Sequence, residues 1–266
     1  MLLFQYSSKI KNRKILLKLF EKLLEQMFEI NVIFVKMLYS LNGFLMDATI
    51  VFDFLTQLKL NNNREWFSEN KKWYEASKKE VENFVSAMIT TISAIDPSIQ
   101  SPAMKDCVFR IFRDVRFGAD KSPYKTNFGA FIARGGRKTA FPGYYIHFEP
   151  GESMLAAGVY QPQPDTLKML RNEVYYHSAE LKEILGKPSF RKYFDQLGDF
   201  DKMKKAPKDF PANFPDIDLL KYRSYIVSQN IPDKIVISDN YPKHVLEMVK
   251  ELQPFMAFLN RAISNG

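Results

Sequence analysis

A single cysteine, Cys107, among 266 residues leaves no pair from which to build an intramolecular disulfide framework. It reads as a buried structural thiol in a reducing, cytoplasmic setting. Three histidines beside that one cysteine are too few for a closed zinc site, and neither a metal nor another cofactor is predicted. The chain has no Gly-x-x-x-x-Gly-Lys-Ser/Thr loop and no Gly-x-Gly-x-x-Gly turn, so the standard phosphate-cradling loops are excluded. "GESML" lacks the second glycine of a nucleophile elbow. No uncharged run reaches the roughly 18 to 20 apolar residues that a membrane span needs, and "VIFVKMLYSLNGFL" is broken by Lys36.

The chain does have 46% hydrophobic residues with 14% aromatics, enough for a large core. Its net charge of +8 is unevenly spread. Residues 1–45 hold seven basic and three acidic side chains, and the window Lys105–Lys138 holds nine basic and three acidic ones. The remainder of the chain after residue 45 is then slightly acidic. Basicity confined to one window favours a local anion site over general adhesion to polyanions.

Residues 1–45 read as an N-terminal extension. Ile15, Leu16, Leu19, Leu23 and Met27 have helical spacing, and Met46 opens a cleaner pattern. The extension is expected to be a start-site artefact, with an interfacial or docked helix as the alternatives. From Met46, Thr49–Leu60 reads as a helix, and a second helix capped by Asn62 with Glu65 three residues on runs to about Ile95. Period-two runs follow in "TNFGAFIAR", "GYYIHFEP" and "SMLAAGVYQ", punctuated by Gly135–Gly136 and Pro150–Gly151. "CVFRIFR" and "KYRSYIVSQNI" are candidate further strands. Asp165 is expected to cap a helix, and a last helix from about Pro242 to Ile263 has Val245, Val249, Leu252, Met256, Leu259 and Ile263 on one face. Together these give a single α+β domain over 46–266, with an antiparallel sheet of about four to five strands between N-terminal and C-terminal helices.

The basic window centres on "FRIFRDVRFGADKSPYKTNF", Phe109–Phe128. Apolar spacing there fits a strand and a helix alike. A strand through about Arg113 that opens into a loop is favoured, because Gly118 and Pro123 follow. Arginines among aromatic residues sit where a lowered dielectric strengthens each contact and raises the penalty for an unpaired charge. Asp114 can satisfy one of them. The others need distant acids, backbone carbonyls or a ligand.

The same stretch carries a family signature. Arg110, Arg113, Asp114, Arg116, Phe117, Asp120, Lys121 and Tyr124 resemble the Arg-x-x-Arg-Asp-x-Arg-Phe pattern, with its following Asp-Lys and Tyr, of the domain-of-unknown-function-2461 family of bacterial conserved hypothetical proteins. "NNNREWF", "YKTNFGAFIARGG", "GYYIHFEPG" and "GVYQPQPDTL" are similar to that family's text as well, over about Ile50 to the C-terminus. The resemblance implies no particular activity.

The expected function is an Arg-lined pocket for an anionic, phosphate- or carboxylate-bearing small molecule. Arg110, Arg113 and Arg116 would bind it, and Lys121, Tyr124 and Lys125 would close the site. A nucleic-acid module using the same window plus Arg134–Lys138 is one alternative. An interaction protein with an internal Arg–Asp network is the other. Weak catalytic candidates are Asp114 and His147. His147 and Glu149 share one strand face, but no Pro-Cys-x-x-Cys follows to complete a zinc deaminase site. The sequence names no reaction and no oligomeric state.

Overall fold

The computed structural model describes residues 46–116 and 120–264. The readings made for residues 1–45, and for Phe117 of the family signature, lie outside the described residues.

Helix α1 (Ala48–Leu60) starts where the Asp47 carboxylate accepts hydrogen bonds from the Thr49 and Ile50 amides at 3.1 and 3.2 Å. The second predicted helix is two, α2 (Arg64–Glu69) and α3 (Lys71–Ile95), divided at Asn70. Asn63, not Asn62, caps α2 by accepting from the Trp66 amide at 2.8 Å. Asn62 is turned to another task described below. A four-residue α4 (Met104–Cys107) precedes the sheet.

The sheet is an open antiparallel meander in the order β1 (Phe128–Ala133), β2 (Gly143–Phe148), β3 (Met154–Val159) and β4 (Tyr225–Asn230). Between β3 and β4 come α5 (Pro164–Tyr176), α6 (Ser178–Gly186), α7 (Pro188–Arg191) and the Pro-rich crossing. Pro164 occupies the first turn of α5 and Gln163 its cap, so Asp165 lies inside the first turn instead of before it. Helices α8 (Asp233–Val236) and α9 (Tyr241–Ser264) close the chain, with Pro254 inside α9.

Helix α9 packs on α3, α5 and β3. The core lies between these helices and one sheet face, where Phe128, Ile132, Tyr144, Ile146, Phe148, Leu155, Tyr225 and Val227 are buried. Rings of Phe84, Phe148 and Tyr241 meet there. Phe54 anchors a second aromatic cluster with Trp66, Trp73, Tyr74 and Phe128. No helix among the described residues is long and apolar enough to cross a membrane. Cys107 is buried, and burial pushes its thiol up to about 11.

Candidate functional site

Within the basic window, Phe109–Arg116 is neither a helix nor a ladder strand. Val108 and Phe112 each make one isolated antiparallel bridge, to Ala130 and Tyr124. The Phe109 amide donates to the Gly129 carbonyl, Arg113 to Pro123 and Lys125 to Ile111, all at 2.8–2.9 Å. The chain therefore runs beside β1 at Val108–Phe109, pairs through Ile111–Arg113 with its own return limb at Pro123–Lys125, and makes a loop between the two. Ile111 is buried by this arrangement, while Arg110, Phe112, Arg113, Asp114 and Arg116 are exposed.

Within the loop, carboxylates hold two of the three arginines. Arg116 makes a fork with Asp114, Nε at 2.9 Å and Nη2 at 2.7 Å. That guanidinium holds the Asp114 carboxyl below the usual carboxylate range. Arg113 pairs with Asp120, whose other oxygen accepts from the Ser122 hydroxyl and amide. These Ser122 bonds are the main cause of the lowered Asp120 pKa, with Arg113 adding to them. Lys121 donates to the Val115 carbonyl at 2.9 Å.

Tyr124 does not face the loop. It is buried, its ring stacked on Phe67 at 3.9 Å, and its backbone is held at both N–H and C=O by the Asn62 side chain. A polar side chain in "NNNREWF" thus acts as a clasp for the window's return limb.

Lys125 is the window's most constrained cation. It is half-buried, with Nζ 5.4 Å from the Phe109 ring centroid. Burial lowers its pKa, and the like charges of Arg110 and Arg113 lower it further. Among the described residues neither Lys125 nor Arg110 has a carboxylate within ion-pair distance. Farther along, Arg137 donates to the Lys105 carbonyl at 2.9 Å, and Arg134 stacks over Phe141. Those cations border the β1–β2 turn and do not join Arg110.

The second constellation lies on the sheet face opposite the helices. Strand alternation puts Gly129, Phe131 and Ala133 of β1 there, with Gly143, Tyr145 and His147 of β2. Ala156, Gly158, Ile226 and Ser228 continue the face across β3 and β4. The Tyr145 hydroxyl lies 2.9 Å from His147 Nδ1, and His147 Nε2 lies 3.1 Å from Glu149. Thr126 donates to the other Glu149 oxygen at 2.8 Å. His147 and Glu149 are each only 8% exposed. Burial, and then the charge of Glu149, raise the Tyr145 hydroxyl to about 12. A Cβ at Gly129 would stand 2.8 Å from the Tyr145 oxygen, so a larger residue there would displace the Tyr145 ring.

Tyr145 also forms part of the wall of a cavity of about 610 Å³ over the same face. Phe109, Phe131, Phe141 and Tyr160 are among its other walls, and Gly143, Ala156 and Gly158 are in its floor. Sequence reasoning singles out His147 and its alternation with Glu149 but misses the cavity. The available signal is the run of small residues facing one way on three paired strands. Among the described residues, no group of three or more His, Cys, Asp or Glu side chains is placed to hold a metal ion.

No curated protein and no solved structure matches the chain. A family model described as conserved hypothetical protein (DUF2461) matches residues 50–258, and the chain belongs to that family.

Proposed function

We propose that the protein binds an anionic small molecule, carrying a phosphate or carboxylate, at Arg110, Arg113 and Lys125. One observation carries this reading. Lys125 is a half-buried ammonium beside two guanidiniums, its pKa is depressed, and among the described residues no carboxylate lies within ion-pair distance of it. A ligand anion would supply the missing charge, and Arg110 and Arg113 would give it planar donors. Phe109, beneath the Lys125 ammonium, would exclude water from one side. Arg116 and Lys121 would border the site from the loop. Tyr124 would support it from below by fixing the return limb, in place of closing it.

Thermal unfolding with added pyrophosphate, and with citrate as the carboxylate probe, tests the proposal. A ligand present at about 100 times its Kd stabilises a native state by about 2.7 kcal/mol. The wild-type midpoint should rise with at least one probe, and Arg110→Met or Lys125→Met should abolish the rise. An unchanged midpoint with both probes, or a rise that both variants retain, would sink the reading. A single-stranded oligonucleotide that binds with a steep salt dependence, where the small anions do nothing, would replace it with the nucleic-acid alternative.

A further inference from the structure

Tyr145, His147 and Glu149 form a hydrogen-bond chain whose direction can be assigned. A carboxylate only accepts hydrogen bonds, so the Glu149 contact requires a proton on His147 Nε2. Neutral His147 then has a bare Nδ1, and the Tyr145 hydroxyl 2.9 Å away must be its donor. With its hydrogen committed to His147, the Tyr145 oxygen offers only lone pairs to a third group. The chain therefore receives hydrogen bonds at its tyrosine end and delivers positive charge toward Glu149.

The cavity gives access to that end. His147 and Glu149 are buried, whereas Tyr145 is partly exposed and lines the cavity. A volume of about 610 Å³ lies within the roughly 300 to 1,000 Å³ of small-molecule sites. Aromatic walls at Phe109, Phe131, Phe141 and Tyr145 suit a flat ring. A floor at Gly143, Ala156 and Gly158 lets such a ring approach the strands closely.

We infer that the cavity binds a planar apolar ligand bearing a hydroxyl or N–H group, which donates its hydrogen bond to the Tyr145 oxygen. For an acidic hydroxyl the same geometry makes a general base. The ligand proton passes to the Tyr145 oxygen as the tyrosine proton passes to His147 Nδ1. The ligand becomes its anion, and the imidazolium pairs with Glu149. Phe109 borders both this site and the Lys125 cluster, but the inference does not depend on anion binding there.

The test uses the full chain and two probes, 2-naphthol and 2-methoxynaphthalene. They share a bicyclic body and differ in the O–H. In equilibrium fluorescence titrations, 2-naphthol should bind about tenfold tighter, the worth of one hydrogen bond of roughly 1.4 kcal/mol. Tyr145→Phe should bring the two affinities together. Ala156→Leu, which fills the floor, should remove both, and Ile226→Trp on the edge strand is a second filling variant should the first fail to fold. Near-UV circular dichroism verifies each fold. Lys125→Met should leave both affinities in place. Four results would overturn the inference: neither probe binds the wild type, the wild type does not prefer 2-naphthol, Tyr145→Phe keeps the preference, or a folded filling variant binds both probes unchanged. Loss of binding in Lys125→Met would instead put the probe at the cation cluster and overturn the assignment to the cavity.

Discussion

Tyr144 and Tyr145 are neighbours in the chain and belong to two different environments. The Tyr144 ring points into the helix-covered face, fully buried, with its hydroxyl donating to Asp96 at 2.9 Å. The Tyr145 ring points to the uncovered face, where it walls a cavity and its hydroxyl lies 2.9 Å from His147 Nδ1. One face is built from Ile146, Phe148, Leu155 and Val227, the other from Gly143, Ala156, Gly158 and Ser228. The packed face spends its large side chains on cohesion. The open face sets Phe131, Tyr145 and His147 among small residues and is hollow over the small ones. The packed core and the cavity therefore lie on opposite sides of the same four strands.

The largest expected effect tests this division directly. Phe148→Ala removes a fully buried ring that meets Phe84 and Tyr241, and should cost about 3–5 kcal/mol in urea unfolding. Phe141→Ala on the cavity rim should cost under about 1 kcal/mol, because its ring is already partly in solvent. Comparable losses would show that the open face is as cohesive as the packed one.

Next come the two tyrosines. Tyr144→Phe strands one oxygen of the buried Asp96, whose other oxygen accepts from the Ser98 amide and hydroxyl. A lost bond to a charged, buried acceptor should cost roughly 1.5–3 kcal/mol. Tyr145→Phe removes the hydroxyl from a ring that is itself partly exposed at the cavity, and should cost roughly 0.5–1.5 kcal/mol. Equal costs would contradict the assignment of Tyr145 to the accessible face.

Alkali sharpens the same pair. The Tyr145 hydroxyl is raised from the ordinary 10.0 to about 12, so the unfolded chain loses that proton first. Its contribution is constant below pH 10 and is lost as pH rises from 10 to about 12. The difference in stability between wild type and Tyr145→Phe, measured by urea unfolding from pH 9 upward, should shrink across that window and change sign, because the shift corresponds to about 2.7 kcal/mol. The other buried tyrosines contribute alike to both proteins. A difference that stays flat through pH 12 would contradict the shift.

How much of this was legible in the sequence follows from the range of the contacts. The strands and the long helices announce themselves in local periods, so "GYYIHFEP" and the α9 stripe suffice without any partner. The window at Phe109–Arg113 did not resolve, because its extended form is imposed by the Gly129 carbonyl and by the returning limb at Pro123–Lys125. Tyr124 reads as a site residue beside Lys121 and Lys125, yet it stacks on Phe67 and is clasped by Asn62, 62 positions earlier. The cavity draws on residues from Phe109 to Ser228, and its floor glycines and alanines look like ordinary strand residues until the registers align them. Local chemistry is written in the spacing; convergence is written in pairings that no window spans.

The smallest expected effect lies at the border of the two regions. Buried Asp96 on the packed side has donors on both oxygens, whereas Lys125 has like charges beside it and, among the described residues, no carboxylate within ion-pair distance. Its pKa is lowered from the ordinary 10.5, so the charged form is disfavoured in the folded state. That penalty is fully present below the folded pKa and is relieved as pH rises toward 10.5. Lys125→Met keeps the stem over Phe109 and removes the charge, and should therefore stabilise the protein at neutral pH by about 0.5 kcal/mol, the scale of a solvent-screened charge. Moderate salt should narrow the gap between wild type and variant, because screening weakens the repulsion from Arg110 and Arg113. A variant less stable than wild type at low salt would mean that Lys125 has found a partner, and the open side would no longer differ from the packed side in leaving a charge unbalanced.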